Sequence, residues 1–462
     1  MFSADTYRER RTRLAQSLGA GLVLLPGHHD APINYTDNVY PFRQDSTFLY
    51  FFGLDRPDLA GVLDAGTGEA TVYGDELTVD DVIWTGPQPR IAEQAAQVGV
   101  TDTAPRQRLA ADVASALQQG RQIHILPPYR ADTARELSSW LRSDESGLRR
   151  FISSELIARI VELRSRKSSE EVAELELALQ TTHDMHVVAM QRIRPGVTEL
   201  EVVAAIEHVA RAQGRQLSFP PIVTIHGETL HNTTYRNRME RGQLAVNDSG
   251  AESPRHYAGD ITRTIPVGGR FEGAQRELYA IVLGAQQAAL DAIRPGVPYK
   301  TTHLLASRVL ASGLSSLGCL RGNLDDAVDA GAHALFLPHG LGHMLGLDVH
   351  DMEALGETHV GYDSSVQRSE QFGLRSLRLA RRLEVGFTLT VEPGLYFIPA
   401  LIDKWRAEGR CRDFIDYDAV ERLRFAGGIR IEDNIVVTPQ GARVLGPPIP
   451  KALNDVEALA GM

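Results

Sequence analysis

With 462 residues the chain exceeds what one ordinary hydrophobic core organises, so two or more domains are expected. Its 43% hydrophobic and 23% charged residues are those of a soluble globular protein, and a net charge of −11 argues against nucleic acid or an anionic membrane as partner. Cys319 and Cys411 are too few to staple a secreted scaffold, the amino terminus reads as a charged amphipathic helix, and no run of about 18 apolar residues offers a membrane span; a cytoplasmic protein is expected.

The first 150 or so residues alternate strand and helix patterns. GAGLVLLPG (19–27) reads as a buried strand, FLYFFGL (48–54) as another strand, residues 61–74 as a hairpin and QIHILPP (122–128) as a further buried strand. RLAADVASALQQG and ADTARELSSWLRS carry helical spacing. Catalytic candidates are sparse here; His28, His29 and His124 read as structural or solvated, and Arg43 and Gln44 as residues that hold the domain together. An α/β scaffolding domain is expected over residues 1–160 and a catalytic domain over 161–462.

From about Ile157 the texture is helical, with Ser168-Ser169-Glu170-Glu171 suited to cap a new helix. The second half then repeats itself. One helix ends in Ile193-Arg194-Pro195-Gly196-Val197 and is followed by another helix; residues 293–297 repeat the same five residues in the same setting. A duplicated helix–turn–helix follows, and such a duplication places its site at the seam between copies.

Five side chains, each in a distinctive phrase, suit that seam: Asp248 in LAVNDSG, Asp260 in AGDITRT, His343 in PHGLGHMLGLDVHD, Glu392 in TLTVEPGLY and Glu432 in GGIRIEDN. In VGFTLTVEPG, alternation places Val385, Phe387, Leu389 and Val391 on one face and Thr388, Thr390 and Glu392 on the other. GGIRIEDNIVV, read as one strand, sets Arg430, Glu432 and Asn434 opposite its isoleucines. Burying four carboxylates without cations would cost several kcal/mol per charge. Two divalent ions neutralise them. The hard donor set favours Mn2+, Co2+ or Mg2+ over the thiolate-rich sites of structural zinc. His339-x-x-x-His343 is not the zinc-protease motif, because Gly340 stands where that motif carries its general-base glutamate.

Residues 245–270, 336–351, 386–396 and 427–438 resemble the signature blocks of the creatinase/methionine aminopeptidase superfamily, within it the Xaa-Pro peptidases, prolidase and aminopeptidase P. Tyr40-Pro41-Phe42-Arg43-Gln44 and FLYFFG resemble the amino-terminal domain of aminopeptidase P. The resemblance implies a two-domain α/β (α+β) protein, an amino-terminal α/β domain followed by a pseudo-two-fold pita-bread catalytic domain. It implies that Asp260 and Glu432 bridge two metals, Asp248 binds the second, and His343 and Glu392 complete the first. The metals would be Mn2+, with Co2+, Zn2+ or Mg2+ as alternatives.

Glu392 would also accept the proton of the attacking water, and His350 would stabilise the tetrahedral intermediate. His231 and His339 would contact substrate around the proline, and Arg430 would orient carboxylates. Asp248 and Asp260 are twelve apart, one more than the family's usual spacing, which the turn ESPRH can absorb. Arg378, in a segment resembling a prolidase insertion, would clamp the free carboxylate of a dipeptide, or else pair with a neighbouring acid. The stretch between the two glutamates also resembles prolidase, whereas the amino-terminal domain resembles aminopeptidase P. A prolidase-type Xaa-Pro dipeptidase is favoured over an aminopeptidase acting on longer peptides. Release of a carboxyl-terminal residue, organophosphate ester hydrolysis and a metal-free binding module are remote alternatives. Expected partners are proline-containing dipeptides or short peptides, and the resemblance implies a homodimer or homotetramer.

Overall fold

The computed structural model describes residues 1–461. It divides into two compact units: Met1–Arg164 with Ala354–His359, and Ser165–Glu353 with the chain from Val360 onward. Among the described residues no helix is long and apolar enough to cross a membrane.

The strands of the first unit are β1 (Leu22–Pro26), a separate hairpin of β2 (Pro32–Tyr35) and β3 (Asn38–Val39), then β4 (Ala60–Asp64), β5 (Ala70–Tyr73), β6 (Asp102–Ala104) and β7 (Ile123–His124). Five of them form a mixed sheet in the order β6-β5-β4-β1-β7, with β1 antiparallel to β4 and parallel to β7. Leu24, Val62 and Ile123 of the sheet pack against Leu109, Val113, Leu137 and Trp140 of two helices, Leu109–Gln118 and Ala131–Leu141. Gln44 ties down the turn beside it: its Oε1 accepts the His28 and Asp45 N–H groups at 2.6 and 2.8 Å, and its Nε2 donates to the Arg56 carbonyl at 2.8 Å.

FLYFFGL is helical, not a strand. The helix Ser46–Phe52 begins where the Asp45 carboxylate accepts the Phe48 N–H at 2.8 Å and ends at Gly53, whose φ of 62° closes the last turn. All seven of its residues are buried, which erases the polar face that marks a surface helix.

The second unit is built twice over. Helices Ser169–Arg192 and Glu199–Ala212 precede β8 (Ile222–Thr224), β9 (Leu244–Ser249) and β10 (Ile261–Pro266), which form a sheet in the order β10-β9-β8. Helices Ala274–Ala292 and Tyr299–Ser316 precede β11 (Thr388–Val391), β12 (Gly394–Tyr396), β13 (Gly428–Arg430), β14 (Asp433–Thr438) and β15 (Gly441–Val444). Of these, β11, β14 and β15 make the second three-stranded sheet and β12–β13 a short ladder.

The repeated pentapeptide does the same work in both copies. Ile193 and Ile293 end their helices, and Gly196 and Gly296 turn the chain at φ 89° and 84°. Each glycine N–H then donates at 2.8 Å to a distant carbonyl, Met239 in one copy and Leu383 in the other. The Ser168 capping box with Glu171 starts the first helix, as its sequence suggests.

Two details of the strands differ from the alternation patterns. GGIRIEDNIVV is two strands, because the chain breaks at Ile431–Glu432: β13 pairs with β12 and β14 with β11. The break sends the Glu432 N–H to the Thr262 carbonyl in the other half of the unit at 3.0 Å. Val385 precedes β11 and is exposed instead of joining Phe387 in the core.

Candidate active site

All ten side chains singled out in the sequence line one cavity of about 390 Å3: His231, Asp248, Asp260, His339, His343, His350, Arg378, Glu392, Arg430 and Glu432. The sheets of both copies deliver the four carboxylates and Arg430, on strands or directly beside them, while the histidines and Arg378 lie on connecting loops. Asp248 sits near the end of β9, paired with Thr262 of β10, and Asp260 immediately precedes β10. Between them Gly250 and Gly259 pass so close that a Cβ on Gly250 would meet the Gly259 carbonyl oxygen at 1.8 Å. In the turn between them His256 adopts a left-handed φ of 64°. Asn434 braces Asp260 from the other copy, accepting its N–H at 2.9 Å and donating to its carbonyl at 2.5 Å.

Thr390 organises the opposite wall. Its backbone N–H donates to the His343 carbonyl and its Oγ1 accepts the His343 N–H, both at 3.0 Å, while the same hydroxyl donates to Glu392 Oε1 at 3.1 Å. Gly342 is required here, since a Cβ would lie 2.1 Å from the Thr390 carbonyl oxygen. Thr262 on β10 does the equivalent for Glu432, donating to Oε2 at 2.7 Å.

The donor atoms of Asp260, His343 and Glu432 lie within 4.8 Å of one another, a spacing compatible with a metal ion. His343 gives its Nδ1–H to the Met344 carbonyl at 3.0 Å, so Nε2 carries the lone pair. That nitrogen is 3.3 Å from Asp260 Oδ2 and 3.5 Å from Glu392 Oε1. Asp248 Oδ1 and Glu432 Oε1 are buried with no hydrogen-bond partner.

Burial, then the neighbouring carboxylates, pushes the Asp260 and Glu432 carboxyls well above the usual range. Burial also raises Glu392, with His343 opposing and Asp260 adding. Repelling carboxylates, two orphaned oxygens and one imidazole lone pair form a donor set that fits divalent cations.

Arg430 stands behind this cluster. It is buried, and it donates from Nη2 to Asp248 Oδ2 at 2.6 Å, from Nε to Thr262 Oγ1 at 3.0 Å and from Nη1 to the Tyr396 hydroxyl at 2.9 Å. The Tyr396 hydroxyl lies 2.9 Å from His339 Nε2, and His339 Nδ1 donates to the Gly340 carbonyl at 2.7 Å. Burial and Arg430 push His339 down to about 3. Both its nitrogens are engaged, so it offers the cavity a ring face. Phe219, Pro220, Ile222 and Leu230 add an apolar wall, on which His231 sits exposed.

A second chain of groups runs along the rim. His350 Nδ1 is 2.5 Å from Glu353 Oε2, and the other oxygen of Glu353 pairs with Arg378 Nη1. Burial, His343 and Arg378 push His350 down to about 3, with Asp260 and Glu392 opposing. Arg378 therefore both lines the cavity and has an acidic partner. Sequence reasoning placed Thr390 and Asn434 on the same strand faces as the carboxylates without seeing that they brace the site, and missed Thr262, Tyr396 and Glu353. Thr262 and Tyr396 lie inside the quoted phrases and could have been found as polar residues on otherwise apolar strands; Glu353 lies just beyond one.

A buried, cation-ready carboxylate cluster at the seam of a duplicated α/β unit defines a metal-dependent hydrolase. The sequence profile of metallopeptidase family M24 matches residues 173–439, and that of the aminopeptidase P amino-terminal domain matches residues 7–125. This chain belongs to metallopeptidase family M24 and has the two-domain architecture with a pita-bread catalytic unit.

Among its relatives, human "Xaa-Pro dipeptidase" is 31% identical over 459 residues, covering 97% of this chain and 90% of the relative. A "Probable Xaa-Pro aminopeptidase" of Penicillium rubens is 33% identical over 468 residues, covering 99% and 97%. The solved structure of zinc-substituted E. coli aminopeptidase P in complex with product superposes with a TM-score of 0.81 at 30% identity, covering 99% of this chain and 98% of that one. Pseudomonas aeruginosa aminopeptidase PepP gives 0.82 at 28% identity, with the same coverage.

Proposed function

We propose that this protein is an Xaa-Pro dipeptidase that cleaves the bond before proline with two divalent cations held by Asp248, Asp260, His343, Glu392 and Glu432, Mn2+ being the preferred metal. The observation that carries the dipeptidase reading is Arg378, a guanidinium on the wall of the cavity that holds the carboxylate cluster. It offers a fork for the free carboxylate of the proline residue, which a longer peptide presents elsewhere. The Xaa-Pro dipeptidases among the relatives support this reading.

Two cations in this site supply Lewis-acid activation of the attacking water and polarisation of the scissile carbonyl. Glu392, oriented by the Thr390 hydroxyl, takes the proton from the attacking water and returns it to the departing proline nitrogen. His350 is held through Nδ1 by Glu353 with its ring on the cavity wall, where it would contact the tetrahedral intermediate. His339, Phe219 and His231, which line the same cavity, enclose the pyrrolidine ring. Arg430 keeps the Asp248 carboxylate turned into the site.

A second reading, an Xaa-Pro aminopeptidase acting on longer peptides, is favoured by one observation: Glu353 already pairs with Arg378. Two free cysteines, Cys319 and Cys411, suit the proposed cytoplasmic setting. The test is metal content measured alongside proline release from Ala-Pro before and after chelation. The proposal requires two equivalents of metal and activity restored by Mn2+. Hydrolysis that survives complete chelation would contradict it.

A further inference from the structure

We propose that Glu353 is the exchangeable counter-ion of Arg378, a specificity-determining residue that pairs the guanidinium until a substrate carboxylate displaces it. This rests on the dipeptidase reading above. The geometry is that of a shared carboxylate: Oε2 lies 2.5 Å from His350 Nδ1 while Oε1 pairs with Arg378 Nη1. The side chains of Glu353, Arg378 and His350 are 34%, 35% and 33% exposed, so none of the three is locked in the interior and solvent can reach the pair. A half-buried pair that solvent reaches is weaker than a buried one and exchanges more readily. It is thus unlike the Arg430–Asp248 pair deeper in the same cavity, whose side chains are 6% and 11% exposed.

The pairing alters how substrate length is read. A clamp arginine with no protein partner would penalise every peptide lacking a carboxylate at that point, because its charge would be left uncompensated. With Glu353 in place, a longer peptide leaves Arg378 paired and incurs no such penalty. A dipeptide must instead displace Glu353, which weakens its binding relative to an unpaired arginine. Glu353 therefore narrows the gap between dipeptides and longer peptides, which two relatives of this chain bear separately in their names.

Glu353→Gln separates this role from that of orienting His350. The glutamine Oε1 can still accept the His350 Nδ1–H, but the neutral amide no longer neutralises Arg378. The experiment compares KM and kcat of the Mn2+-loaded full-length protein on Ala-Pro and on Ala-Pro amide, which differ only in the terminal charge, for wild type, E353Q, E353A, R378M and E353Q/R378M. The KM ratio of amide to acid is expected to rise about three- to five-fold in E353Q and in E353A, the scale of one ion pair that solvent reaches. The rise should vanish in the double variant. In E353A, kcat should also fall on both substrates because His350 loses its partner.

If R378M shifts the ratio but neither Glu353 variant does, the clamp stands and the exchange is wrong. If R378M leaves the ratio unchanged, the dipeptidase reading fails and the exchange falls with it. Loss of kcat alone in both Glu353 variants would reduce Glu353 to a support for His350 and overturn the proposal.

Discussion

Replacing Arg430 by methionine tests how the carboxylate cluster is held. Arg430 makes three side-chain hydrogen bonds, to Asp248, Thr262 and Tyr396, at 2.6–3.0 Å, and it is buried. Burial alone would make its protonation harder, but Tyr396, Asp248 and Glu392 hold it firmly charged. Removing one partner of a buried ion pair costs about 3–5 kcal/mol. At roughly 2 °C per kcal/mol for a unit of this size, the chelated R430M protein should melt about 6 °C or more below chelated wild type.

Cations bound to Asp248 would replace the missing guanidinium as its counter-charge, so with saturating Mn2+ the difference should shrink by about half. Paired thermal melts of both proteins, chelated and loaded, measure this directly. An equal loss in both states would mean that Arg430 supports the fold and not the charge balance of the site. No loss in either would refute the claim that it holds Asp248.

Other outcomes follow from the same geometry. Gly250→Ala should destabilise the protein by about 3 kcal/mol or more and lower metal stoichiometry, because its Cβ would meet the Gly259 carbonyl oxygen at 1.8 Å in the connection between Asp248 and Asp260. Asp260→Ala and Glu432→Ala should each abolish turnover and reduce bound metal, read by elemental analysis of the purified variants. His303 and His333 are buried, and burial pushes them down to about 3 and about 4, with their mutual proximity adding for His303. Their folded pKa values lie below the unfolded value of about 6.5, so their contribution is complete above that pH and is lost as pH falls towards the folded values. At pH 5 this amounts to roughly 2 kcal/mol for each histidine. A His303→Leu/His333→Leu variant should therefore lose less melting temperature than wild type between pH 7.5 and pH 5.

The site was more legible than the local structure around it. The five proposed ligands stand out because each carboxylate or imidazole interrupts an apolar strand or a glycine-rich turn. The pentapeptide at 193–197 and 293–297 announced the duplication that brings them together. The helix Ser46–Phe52 was not legible, because burial on every side removes the periodicity that separates helix from strand. The split of 428–438 into β13 and β14 was hidden for a related reason: both pieces keep the same alternation, and only their different partners reveal the break. Glu353 could not be found at all from sequence. Its meaning lies in Arg378, 25 residues away, and a lone acid after a histidine reads as solvated surface.

The most direct measurement is hydrolysis of Ala-Pro against Ala-Pro-Ala by the Mn2+-loaded protein, with a chelated control and products identified by mass. A dipeptidase using Arg378 as a carboxylate clamp should show the higher kcat/KM on Ala-Pro, with both activities lost on chelation. Faster release of free alanine from the tripeptide, leaving Pro-Ala, would instead make the protein an aminopeptidase and contradict the clamp.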